Sequence, residues 1–308
     1  MSNNAQNKLM MKLNGIYIKQ IIFTLLLISC NIYTAWSQET IPATRNIPGL
    51  FYGFSMGPSK TIIENSGSVF DSVLHNNKVN TVFGTAEIGY FFSNYIGISS
   101  GMGYVSYKTK LNLKTYQKNF DAIDSENERF NMQVTGSGIQ ELQTVDFLSI
   151  PVCIHFRLPF NQTFGLFLKA GINFSLPISN KYNSSGTFTY RGYYPKYNVW
   201  LDSLPAYGFA KNKLVESKGS LNIKKICFNT LLSFGFDVNI TNSIQFGVAA
   251  NFNNALLKES YSSSLVNESP DKFLLTPDAN HINSFIGGSS HATAQSVGLE
   301  INFRFFVK

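Results

Sequence analysis

The sequence predicts an all-β protein: an eight-stranded antiparallel transmembrane β-barrel with long extracellular loops, preceded by a signal peptide. Three observations carry this. Candidate strands of about ten or more residues alternate between apolar and polar positions, the period of a strand with two different faces. Their connections alternate in length, short at Ser93-Asn94, around Asn161-Gln162 and at Thr241-Asn242, long and polar over 61–79, 113–140, 181–223 and 255–292. Charged residues are only 14% of the 308, and aromatic residues are also 14%, against about 25% charged in an ordinary soluble chain. A membrane barrel needs one rim of tight turns and one of long loops, because its rims face different compartments. A soluble sandwich has no reason to keep its long loops at one end.

The first 37 residues read as an export signal. Lys8, Lys12 and Lys19 precede the apolar run 21–28, which is too short to cross a membrane as a helix. Two processing patterns compete. Ala35-Trp36-Ser37 before Gln38 suits signal peptidase I, whereas Leu27-Ile28-Ser29-Cys30 resembles a lipobox that would leave Cys30 as a lipid-bearing N-terminus. A chain held by a barrel needs no lipid anchor, which favours the first pattern. Residues 1–37 are then a signal peptide, 38–49 a periplasmic N-terminal segment and 50–308 the barrel domain.

Strands are expected at 50–60, 79–92, 95–112, 141–158, 164–180, 224–239, 243–254 and 293–307. The first carries Gly53, Ser55 and Gly57 on one parity, and the second ends in aromatics before the first tight turn. The third repeats small residues at Gly97, Ser99, Gly101 and Gly103. In the fourth, Leu148, Ile150, Val152, Ile154, Phe156 and Leu158 alternate with Phe147, Ser149, Cys153, His155 and Arg157. The fifth sets Leu166, Leu168, Ala170, Ile172, Phe174 and Leu176 against Gly165, Lys169, Gly171, Asn173 and Ser175. The sixth sets Phe228, Leu232, Phe234, Phe236 and Val238 against Asn229, Ser233, Gly235, Asp237 and Asn239. The seventh adds Gly247 and Ala249, and the eighth sets Val297, Leu299, Ile301, Phe303 and Phe305 against Glu300, Asn302 and Arg304.

The polar parity is also the one crowded with small residues. Space is short inside a narrow barrel, so that parity points inward and the apolar one meets lipid. Closure is required because unpaired backbone groups in hydrocarbon cost several kcal/mol each. Tyr90, Phe91, Phe92 and Tyr95 at the first tight turn, and Phe156, Phe160 and Phe164 at the second, are expected in an interfacial girdle. The end of the chain, with Phe303, Phe305 and Phe306 before Val307 and Lys308, resembles the C-terminal signal read by the outer-membrane assembly machinery.

Seven inward residues, Glu87, His155, Arg157, Lys169, Asp237, Glu300 and Arg304, are expected to form a charge network inside the barrel. A barrel of about eight strands is just wide enough for side chains to fill it, so packed ion pairs are preferred to a gated ion path. Cys153 and Cys227 are read as buried free thiols on separated strands. No cysteine or histidine spacing suits zinc, and no phosphate loop or Ser-His-acid pattern is set by spacing. His75, His281 and His291 fall in loops or near a rim. No cofactor, metal or catalytic residue is expected, and the chain is not read as an enzyme. The net charge of +7 is spread over Asn- and Ser-rich loops without a basic helix, which argues against nucleic acid as a partner.

The third long connection interleaves aromatics with cations. Tyr190, Arg191, Tyr193, Tyr194, Tyr197 and Trp200 form a candidate binding surface, since such side chains are enriched at interfaces. The same stretch could instead pack on itself or extend the barrel strands above the membrane. The acidic stretch Asp121, Asp124, Glu126 and Glu128 is placed to meet it or to stay solvated. Asp71-Ser72-Val73 and Asp202-Ser203-Leu204 resemble an O-glycosylation signal of exported bacterial proteins.

The segments FLSIPVCIHFRLPF (147–160), FGLFLKAGINF (164–174) and AEIGYFFSNYIGISSGMGY (86–104) resemble two hairpins of the PorT-like outer-membrane β-barrel family of Bacteroidetes. Ser149 stands where that family more often has Glu, and His155 lies near its usual Lys. The resemblance implies the fold and an outer-membrane location. Members include a component of gliding and type IX secretion, while most have no assigned role. The function expected is a non-enzymatic binding or assembly component acting through its external loops. The alternatives are a small channel and a lipid-modifying enzyme. Outer-membrane lipid, other envelope proteins and surface glycans are the partners considered.

Overall fold

A computed structural model describes residues 49–66, 74–259 and 281–307. The expected signal peptide, Cys30 and Asp71-Ser72-Val73 lie outside those residues. The strands are β1 (Gly49–Ser66), β2 (Leu74–Phe91), β3 (Ile96–Ile123), β4 (Arg129–Pro159), β5 (Phe164–Tyr194), β6 (Val199–Leu201), β7 (Ala210–Ser220), β8 (Cys227–Asn239), β9 (Ile244–Glu259) and β10 (His291–Phe306). Neighbours pair antiparallel from β1 through β5, then β5 pairs β8, β8 pairs β9, β9 pairs β10 and β10 returns to β1. That closes an eight-strand ring. β6 and β7 stand outside it, each paired to the upper part of β5.

The three tight turns share one local device. Ser93 Oγ accepts the N–H groups of Tyr95 and Ile96, Asn161 Oδ1 those of Thr163 and Phe164, and Thr241 Oγ1 those of Ser243 and Ile244. A short polar side chain that caps the backbone two and three residues on is how Ser, Thr and Asn stabilise turns.

Period two then sorts the wall. Ile154 and Phe156 are exposed outward, while Cys153 and His155, which alternate with them, are buried inward. On β4 the outward apolar run covers Leu148 to Leu158, about the eleven residues a tilted strand needs to cross hydrocarbon. The belt ends at a bulge. Phe147 pairs Pro177 but Asp146 pairs Ser179, leaving Ile178 without a partner. Inward glycines make room for rings: a Cβ on Gly97 would lie 2.9 Å from the Phe91 ring.

Three expectations change. The stretches 113–140 and 181–223 are largely strand, because β3, β4 and β5 run far above the belt in continuous pairing. From Asp146 to Arg129, β4 rises roughly 60 Å along its length at about 3.3 Å per residue. The stretches 61–79 and 255–292 shrink likewise, since β1 reaches Ser66 and β10 begins at His291. Phe91 leaves the girdle. It is 1% exposed and packs inside the ring with Phe51, ring centroids 5.4 Å apart, and with His155 and Phe306. Tyr90, Phe92, Tyr95, Phe156 and Phe164 remain outward and exposed. Cys153 and Cys227 are free and buried.

The interior is polar at belt depth and apolar above it. Ile63, Tyr107, Val145, Phe147, Leu257 and Ile286 begin an apolar cluster over the charged layer. Leu111, Leu113, Ile139, Phe188, Tyr190 and Phe285 continue it, and Phe130, Tyr194 and Phe209 cap it. An open loop would leave such side chains in water; a closed extension buries them.

Candidate functional site

All seven inward charged residues lie inside the ring, each no more than 6% exposed. The Arg157 guanidinium grips Asp237 in a fork, Nη2 to Oδ1 at 2.6 Å and Nε to Oδ2 at 2.8 Å. Gly165 opposite leaves room for this pair, since a Cβ there would sit 2.9 Å from Asp237 Oδ1. Lys169 donates to Glu300 at 2.7 Å, and Ser233 and Asn251 satisfy the other carboxylate oxygen at 2.7 and 2.9 Å. Glu87 accepts from Ser99 at 3.1 Å, and Ser99 Oγ lies 2.7 Å from His155 Nε2. Arg304 donates to Gln245 at 2.9 Å, and its guanidinium lies over the Phe167 ring at 4.8 Å. Fixed partners of this kind are what lets buried charge survive at low dielectric. Between this layer and the apolar cluster lies a cavity of about 20 Å³, bordered by Ser55, Ser149, Lys169, Asn173 and Glu300. That is room for about one water.

Above the belt a feature absent from the sequence reading closes the interior. Ile282, Phe285 and Ile286, between β9 and β10, are buried against the upper strands. They are held by Glu141, itself fully buried, whose carboxylate accepts Ser284 Oγ at 2.6 Å, Ser184 Oγ at 2.7 Å, Gln143 Nε2 at 2.6 Å and the Phe285 N–H. Burial pushes the Glu141 pKa up. Ser217 Oγ accepts the Ile282 N–H at 2.7 Å. The signal in sequence was the alternation of Tyr182, Ser184, Gly186, Phe188 and Tyr190, a strand period inside a segment whose Asn and Ser content suggested loop.

At the outer tip the acidic and basic segments meet. Lys196 and the Tyr197 hydroxyl both donate to Glu128 Oε1, at 2.7 and 2.6 Å. Tyr194 donates to Asp124 at 2.9 Å and Tyr207 to Glu126 at 3.2 Å. The backbone N–H of Glu128, with Tyr194 and the Glu126 N–H, holds the Asp124 carboxyl below its usual range, and Lys196 with Tyr197 does the same for Glu128. The bond to Glu128 also raises the Lys196 ammonium, and burial with the Asp124 bond raises the Tyr194 hydroxyl to about 12. Strand alternation divides the candidate surface. Tyr190 and Tyr194 point inward and are 2% and 5% exposed, so they are not available to a partner. Tyr197 and Trp200 are exposed. Asp121, Asn131, Tyr193 and Trp200 face each other in one row across β3, β4, β5 and β6. Tyr193 and Trp200 have ring centroids 5.0 Å apart, and the Arg191 guanidinium lies 4.7 Å over the Trp200 ring. Beside this row a depression of about 390 Å³ is bordered by Asp121, Ile123, Arg129, Asn131 and Pro195. Asp202 of the second tripeptide is paired with Lys211 at 2.9 Å.

Residues 37–261 match the model of the outer membrane protein beta-barrel domain. The chain belongs to that family. Its place is the outer membrane, with the closed ring as the spanning element. For a member of the outer membrane protein beta-barrel domain family, the tight turns mark the periplasmic rim and the β3–β5 extension the external one. No curated protein matches the chain. Among solved structures it is similar to OprG from Pseudomonas aeruginosa, at 9% identity over 86% of this chain and 100% of that one, TM-score 0.35. It is also similar to Neisserial surface protein A, at 9% identity over 84% and 99%, TM-score 0.33. Ail of Yersinia pestis, in complex with the heparin analogue sucrose octasulfate, matches at 10% identity over 83% and 99%, TM-score 0.27. Among the described residues of this beta-barrel family member, no group of three or more His, Cys, Asp or Glu side chains is arranged to hold a metal ion.

Proposed function

We propose that this outer-membrane barrel is a non-enzymatic binding or assembly component, of the PorT-like kind found in Bacteroidetes, and that its partner is met at the external tip. The observation that carries this reading is the outward row Asp121, Asn131, Tyr193 and Trp200 on paired strands, with Arg191 stacked on Trp200. A rigid sheet bearing aromatic rings beside amide and guanidinium groups offers contact area at low entropic cost. The membrane belt has no such surface to give: its outer face meets lipid and its inner face is packed. Envelope proteins and surface glycans both suit such a face. The filled lumen supports binding rather than conduction, because the ion pairs and the Glu141-anchored segment occupy the path.

The test is capture from native membranes with the tagged protein, comparing the parent with Tyr193→Ser/Trp200→Ser. The pair of changes should leave a barrel that still shifts on a gel between unheated and boiled samples, while co-purification of its partner is lost. Undiminished capture would refute the tip as the contact. Planar-bilayer recording should show no steady conductance, and steady channels would return the reading to a pore.

A further inference from the structure

Immediately above the apolar belt, four lysines stand together on the outer wall. Lys108 on β3 faces Thr144 on β4, which faces Lys181 on β5. One rung higher, Lys110 faces Leu142, then Asn183, then Lys218 on β7. Directly opposed residues share a face of the sheet. Lys110, Lys181 and Lys218 are exposed and Lys108 is half-buried. With strands about 4.8 Å apart, the patch spans roughly 10 Å on one rung and 14 Å on the next.

Its position and charge both select an occupant. The rung below is Ser106, Asp146 and Ser179, and below that Tyr104 and Leu148 open the lipid-facing run. The ammonium groups therefore sit where acyl chains give way to headgroups, with their stems free to lie along the wall. Among the described residues none of the four makes an ion pair. The nearest acids on this face are Asp146, which accepts the Tyr104 and Ser106 hydroxyls at 3.0 and 2.6 Å, and Glu216, a rung above on β7. An anionic leaflet attracts each such lysine by about fivefold in attachment. We infer that Lys108, Lys110, Lys181 and Lys218 form a site for the phosphate groups of the outer-leaflet glycolipid. The site is separate from the tip, and its test does not depend on a tip partner.

The experiment measures lipid A binding to the full barrel in non-ionic detergent, using diphosphorylated lipid A and its dephosphorylated form as probes. Variants are Lys108→Ser/Lys110→Ser/Lys181→Ser/Lys218→Ser, the smaller Lys110→Ser/Lys218→Ser pair, and a charge-matched control nearer the tip at Lys118, Lys196, Lys211 and Lys213. Heat-dependent gel migration verifies folding of each. The parent and the control should prefer the phosphorylated probe. The quadruple variant should lose affinity by about 600-fold, and the pair by about 25-fold. Equal binding of the dephosphorylated probe, an equal loss in the control, or unchanged binding by the folded pair would overturn the site. Inorganic phosphate that displaced the lipid at matching concentration would overturn the lipid as its source.

Discussion

The Glu141 carboxylate accepts the main-chain N–H of Phe285 from 144 residues away, at 3.2 Å to one oxygen and 3.3 Å to the other. That contact ties the segment before β10 to the wall of β4. Glu141→Ala would leave the Ser184, Ser284, Gln143 and Phe285 donors facing a void, at about 1–3 kcal/mol for each buried donor left unmade. The ring below is independent of them, so the expected result is local: faster amide exchange at 282–286 with unchanged heat-dependent migration. Unchanged protection at Phe285 would show that the apolar contacts of Ile282 and Ile286 suffice without the carboxylate.

Inside the ring, Arg157→Ala should destabilise the barrel by about 3–5 kcal/mol, because Asp237 would remain buried without its partner. Arg157→Met together with Asp237→Leu should cost much less, since both desolvated charges disappear at once. Urea unfolding midpoints of reconstituted protein give the comparison. A double variant as damaged as the single one would mean that the pair supplies more than mutual neutralisation.

On the lipid face, Ile154→Arg should cost about 2–4 kcal/mol at the bilayer midplane. Gly171→Arg should fail for a different reason. Even a Cβ there would meet the Val152 carbonyl and lie 2.7 Å from Cys153 Sγ, so the lumen has no space for a side chain. Folding yields into liposomes separate the two, because thinner bilayers should partly rescue the first and not the second.

The acids of the extension should respond to pH with opposite signs. Asp124 and Glu128 have lowered pKa values from their hydrogen-bonded partners. Their contribution to the closed tip is present above the ordinary carboxyl values of 3.8 and 4.5 and is lost as pH falls through the lower folded values. Glu141 is raised by burial, so its contribution is fully present below 4.5 and fades as pH rises through the higher folded value. Amide exchange corrected for intrinsic rate should therefore quicken at 124–128 on acidification below about pH 4. Across the window above 4.5 it should slow at Phe285 as pH is lowered. Parallel responses at both places would contradict the assignment.

Sequence alone determined the ring and its sidedness. Small and charged residues at every second position have to share the inside of a narrow barrel, and Ile154, Leu168 and Phe234 on the other parity then have lipid as their solvent. The tight turns were equally legible, because Ser93, Asn161 and Thr241 cap their own backbones and need no distant partner. Tertiary structure decided the rest. Thr187, Thr189 and Asn183 suit a loop or a strand, and what makes them strand is pairing with β4 and β7, which local composition does not contain. Once β5 is extended that far, alternation turns Tyr190 and Tyr194 inward and leaves Tyr193 and Trp200 outward. Phe91 shares the parity of Glu87 and so was legible as inward, and what the structure adds is the space that Gly97 leaves for its ring. Glu141 was unreadable for the same reason: a lone acid becomes an anchor only when Ser184 on β5 and the Ser284 and Phe285 donors of a segment over 140 residues away reach it, and that approach is made by the closed ring.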